Sequence, residues 1–121
     1  MNLRFEDLPW HDAVVLAIEI DRRQPGIVDE VRLSILWPDD RRSDITFLEC
    51  YGLEARLNFG VVAAETVRSA CERSDSDELR RLRDKWSGVD LSSLKSFAIE
   101  TNSTASMLVV YARSWIDQLV E

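Results

Sequence analysis

Trp10-His11-Asp12-Ala13-Val14-Val15-Leu16-Ala17-Ile18-Glu19-Ile20 is the stretch that decides the fold. Val14, Leu16, Ile18 and Ile20 alternate with Ala13, Val15, Ala17 and Glu19, so an extended strand presents one strongly apolar face and one mixed face. Pro9 restricts Leu8 and breaks any regular entry, which places Trp10, His11 and Asp12 at the lip of that strand. There Trp10 is expected to anchor the segment in the core and Asp12 to tie down backbone donors, as Asp commonly does in turns.

Gln24-Pro25-Gly26 follows, with Pro pre-setting φ and Gly free to take φ > 0, the pairing a type II turn needs. Val31, Leu33, Ile35 and Trp37 then alternate with polar residues as the antiparallel partner, which ends at Pro38-Asp39-Asp40. Odd positions carry the apolar load again from Ile45 to Phe59, a length of strand of about 50 Å, so a bend or bulge near Gly52 is expected. Beyond Gly60, Ala63, Ala64, Val67, Ala70 and Cys71 share one arc of a helical projection and predict a helix over 61–73, with a strand from Thr66 to Cys71 as the alternative. Ser74 to Glu78 offers N-caps and first-turn acids ahead of Leu79, Leu82 and Trp86, with Gly88 as the stop. Phe97–Thr101 and Met107–Tyr111 read as a closing hairpin around the polar loop Asn102 to Ser106. Met107, Val109 and Tyr111 alternate with Leu108, Val110 and Ala112, so this last strand is central or covered on both faces.

The expected fold is α+β in a single domain of residues 1–121: an antiparallel, mostly meandering sheet of about five to six strands. One or two helical segments are inserted before the C-terminal hairpin, and no internal repeat is visible in the sequence. Hydrophobic residues at 45% and charged residues at 31% are the balance of a soluble globular chain. The longest apolar runs are too short to span a bilayer, and the acidic start Glu6-Asp7 does not resemble a signal peptide, so a cytoplasmic location is expected. A formal charge of −7 disfavours nucleic acid, which rewards Lys and Arg, and suits a basic or neutral partner, although charge of one sign also serves solubility alone.

Chemistry has few candidates. His11 is the only histidine, and neighbours along a strand point to opposite faces, so Asp12 orients it only across a turn. Cys50 stands between Glu49 and Tyr51, and Cys71 precedes Glu72; these acidic neighbours oppose a thiolate, so both cysteines read as packing residues. One His and two distant Cys do not make a zinc set, Asp39-Asp40 is neutralised by Arg41-Arg42, and the isolated glycines form no phosphate loop. No catalytic, cofactor-binding or metal-binding residue is assigned. Arg80, Arg81, Arg83 and Lys85 read as a solvated helix face. An enzyme or ligand binder built on His11 and Asp12, with Tyr51 or Asn58, is the alternative to a binding protein. A homodimer or larger homo-oligomer, seeking a partner for a sheet edge, is a third reading.

Trp10-His11-Asp12-Ala13 before an alternating strand, with Asn102-Ser103-Thr104-Ala105-Ser106 before a final strand, resembles small bacterial proteins that open with a His-Asp-Ser or His-Asp-Ala strand. Several of these are uncharacterised, and some are similar to immunity-protein families encoded beside polymorphic toxins. The resemblance covers the two ends of the chain better than its middle. It implies a cytoplasmic, non-enzymatic binder that neutralises a co-encoded toxin, with Trp10, His11 and Asp12 as a structural motif.

Overall fold

A computed structural model describes residues 4–102 and 104–120. Its strands are β1 (Val14–Asp21), β2 (Glu30–Leu36), β3 (Arg42–Leu48), β4 (Gly52–Arg56), β5 (Val67–Arg73), β6 (Lys95–Thr101), β7 (Met107–Ala112) and β8 (Ser114–Leu119). One helix, α1 (Asp77–Lys85), lies between β5 and β6, and a 3-10 turn, Phe5–Asp7, precedes β1. The strands form two four-stranded antiparallel sheets, ordered β1-β2-β3-β8 and β4-β7-β6-β5. The α+β expectation holds at that level, but the strand count is corrected: the described residues form eight strands in two sheets, rather than about five to six in one.

The difference arises at a corner. β3 runs into β4, and β7 into β8, with each pair of strands leaving one sheet and entering the other. The two crossings stay hydrogen-bonded alongside one another, from Arg113 N to the Leu48 carbonyl at 3.2 Å and from Tyr51 N to the Tyr111 carbonyl at 2.7 Å. Strands that switch sheets in this way make the corners of packed β structures. The long apolar stretch from Ile45 to Phe59 therefore does bend, at 49–51, where Glu49 takes φ 54°. Gly52 lets the bend close, since a Cβ there would sit 3.1 Å from the Tyr111 ring. Topology repeats where sequence does not: β1-β2-β3 and β5-β6-β7 are two meanders, and each sends its continuation, β4 or β8, into the other sheet.

The sheets also meet at a seam. Val14 bridges Thr66, and Asp12 N to Val67 O, Val67 N to Ala13 O and Val15 N to Glu65 O bond at 3.0, 2.7 and 2.9 Å. Just beyond it each strand carries a bulge, between Val15 and Ala17 in β1 and between Val67 and Ser69 in β5. The extra residue changes which side chains face inward. Val15 and Ile18, three apart, pack on the core while Leu16 lies exposed, so the even-numbered apolar face expected of β1 is corrected. Val67 and Ala70 pack inward at the same spacing, and this is why 61–73 reads as helical. The helix there is not found; β5 stands in its place.

Both sheets fill one core, with Val31, Leu33, Ile35, Ile45 and Phe47 facing Val67, Phe97, Ile99, Leu108 and Val110. The opposite face of β7 is covered by α1, so Val109 and Tyr111 join Leu79, Leu82, Leu91 and Leu94 in a second cluster. That strand is thus apolar on both sides and buried on both, as its composition requires. The cap was legible: Ser76 Oγ accepts from Leu79 N at 3.2 Å, with Asp77 and Glu78 in the first turn. The stop was not, because the helix ends at Lys85 with Trp86 as its C-cap rather than at Gly88. Arg83 fastens the helix by donating to the carbonyls of Ser74, Leu91 and Leu94, while Arg80 and Arg81 pair with Asp75, Asp77 and Glu78 on the solvated face.

This burial has a pH signature. Desolvation pushes the Tyr111 phenol up to about 12, aided by the Glu54 and Glu78 carboxylates, and burial pushes the Cys50 thiol up to about 11. A raised value means that the fold holds the proton more tightly than the unfolded chain, whose phenol titrates near about 10. The stabilisation is complete below that pH and is lost as pH rises through about 12. Thermal melts from neutral to strongly alkaline pH are expected to show a falling melting temperature, and Tyr111→Phe to flatten the upper part of the fall. An unaltered slope in the variant would contradict the assignment.

Candidate functional site

At the lip of β1 the three motif residues have separate fates. Trp10 is 3% exposed, donates from Nε1 to the Phe5 carbonyl at 2.7 Å and packs its ring 4.9 Å from both Phe5 and Trp37. Asp12 sits in a turn at φ 67°, a left-handed conformation that Asp tolerates better than most residues, and its N–H completes the seam. Among the described residues its carboxylate accepts from no backbone donor, which corrects the expectation. Among the described residues its partner is His11, with Nε2 to Oδ2 at 3.6 Å, and both side chains are mostly exposed. The turn brings imidazole and carboxylate together, but in water, where such a pair is held weakly.

The other candidates lie apart from this pair. Tyr51 lines a groove at one end of the sheets and Asn58 lines a cleft between them, whereas His11 and Asp12 line neither. Cys50 packs against the core and donates to the Phe47 carbonyl at 3.4 Å, and Cys71 is a free thiol as well. Hydrogen bonds from Arg41 hold the Asp39 carboxylate below its usual range, as their adjacency implied. Among the described residues no group of three or more His, Cys, Asp or Glu is placed to hold a metal ion. No helix among them is long and apolar enough to cross a membrane.

The groove is the larger concavity, about 830 Å³, and draws on four distant parts of the sequence. The end of β1 and the following turn bring Ile20, Asp21, Arg22 and Ile27. The turn has the type II form expected, with Ile27 N bonded to Gln24 O at 3.0 Å and Gly26 at φ 82°. Asp29 accepts from Gly26 N and Glu30 begins β2, while the corner contributes Glu49, Cys50 and Tyr51. Trp86, the helix cap, closes the far side with its ring edge-on to Tyr51 at 5.5 Å.

Two properties stand out in this lining. Four carboxylates, Asp21, Asp29, Glu30 and Glu49, face one cation, Arg22. Arg23 compensates Asp21 and its hydrogen bonds hold that carboxyl down at about 2, while Arg113 reaches only 4.0 Å from Glu49. Three large apolar side chains are also left in water here, Ile20, Trp86 and, at 82% exposure, Ile27. Charge alone was visible in the sequence. Its gathering around exposed apolar anchors was not, because the contributing residues span positions 20 to 114. Compared with protein-family models, curated proteins and solved structures, the chain matches none.

Proposed function

We propose that this chain acts by binding a basic protein through the acidic groove, and that the partner is a toxin domain encoded beside it. The observation that carries this reading is the coincidence of four carboxylates with Ile20, Ile27 and Trp86 around one concave surface. Apolar and aromatic anchors supply most of the binding energy of protein interfaces, and a rim of one charge sign steers an oppositely charged partner into register. The formal charge of −7 extends that field over the whole molecule. Inhibition follows by occlusion: a bound toxin domain with its basic active surface seated on the groove is closed to its own substrate. The Trp10-His11-Asp12 motif then serves the scaffold rather than the interface.

The test is to express the product of the adjacent gene and measure its association with this chain by stopped-flow, at low and at high salt. Double reversal with Glu30→Lys and Glu49→Lys is expected to slow association by about tenfold or more at low salt and to change little at high salt. Ile27→Asp is expected to speed dissociation. An adjacent product that does not bind, or a rate indifferent to the reversal, would overturn the proposal.

A further inference from the structure

We propose that the cleft between the two sheets is a second site, one that takes a small amphipathic amine, its apolar body inside and its ammonium on Glu65. The cleft measures about 430 Å³, a volume in the range of small-molecule sites, and lies beside the bulge of β1, where Val15 to Ile18 line it together with Glu65 from the seam. Both sheets floor it, with Leu33, Ile99 and Leu108 each at most 5% exposed, and Val15 and Ile18 form a wall. Leu57 and Phe59 form the other wall while remaining in water, Phe59 at 86% exposure. An apolar body in the cleft covers that surface, which is the driving force for entry.

One end is polar and ordered. Asn58 N donates to Ser106 Oγ at 3.1 Å and Asn58 Nδ2 to the Thr104 carbonyl at 2.6 Å, while Thr104 and Ser106 share a hydrogen bond through their hydroxyls. Thr104 Oγ1 lies 2.8 and 2.9 Å from the two carboxylate oxygens of Glu65. Among the described residues Glu65 is the one ionisable group in the lining, and no cation pairs with it. A carboxylate has about four acceptor positions and a hydroxyl brings one proton, so Glu65 keeps capacity for further donors. An ammonium supplies three donors and the opposite charge, whereas a fatty-acid carboxylate in the same place is repelled.

The probes are octylammonium, octanol and octanoate, each titrated into the whole protein and followed by backbone amide shifts. Octylammonium is expected to shift Val15–Ile18, Glu65 and Thr104–Leu108 and to bind about tenfold more tightly than octanol, with octanoate weakest. Glu65→Gln is expected to bring the amine down to the alcohol. The order of the three probes on the unaltered protein stands as the readout should that variant fold poorly. Equal affinity for amine and alcohol, or amine-induced shifts confined to the acidic groove, would overturn the proposal.

Discussion

Phe5→Ala is expected to remove roughly 3–5 kcal/mol of unfolding free energy, a large share of the total for a domain of this size. Phe5 is a single residue in a 3-10 turn ahead of the first strand, yet its side chain is fully buried. Its ring lies 4.9 Å from Trp10, 5.1 Å from Phe97, 5.6 Å from Trp115 and 5.8 Å from Phe47. Phe47 and Trp115 belong to one sheet and Phe97 to the other, so this ring fills the space between them at one end. Its N–H is held by Glu72 Oε1 at 3.0 Å, which docks the turn on β5. Truncation leaves four aromatic partners around a void that rigid strands cannot collapse into. Urea unfolding measures the loss, and a change below about 1 kcal/mol would mean that the aromatic cluster repacks.

The second large effect separates two adjacent residues. Trp10→Ala is expected to cost about 3–5 kcal/mol, whereas His11→Ala should stay within about 0.5 kcal/mol. Trp10 loses both a buried ring and the donor to the Phe5 carbonyl, while the imidazole is mostly in water. The two rings touch, so the double variant Phe5→Ala/Trp10→Ala should fall short of the sum of the single losses. A His11→Ala loss as large as that of Trp10→Ala would show that the imidazole carries weight the exposed geometry does not explain.

Local chemistry was legible wherever a few neighbouring residues determine the outcome. Pro25-Gly26 made its turn, Ser76 its cap, and the two-faced β7 its double burial. What escaped was set by distant partners. A bulge opposite the seam spaces Val67 and Ala70 like a helix, and nothing within 61–73 says that β6 supplies the hydrogen bonds of a strand instead. Trp115 and Ile116 trail the last apolar run, and only the corner beside Leu48 shows that they belong to a strand of the other sheet. The groove was hidden for the same reason, since its acids come from the β1–β2 turn with its flanking strand ends and from the corner at Glu49. Thr104 and Ser106 read as loop residues until the fold set them beside Glu65 and Asn58.

The exchange of strands at the corner bears on the order in which the chain can fold. Each sheet takes three strands from one half of the sequence and its fourth from the other half. On the ribosome β1, β2 and β3 emerge as a local meander, but β3 keeps a bare edge until Ser114–Leu119 follows almost seventy residues later. The first sheet is therefore closed only by a strand from the second half of the sequence, and the second sheet only by β4 from the first, so the two meanders depend on each other for completion.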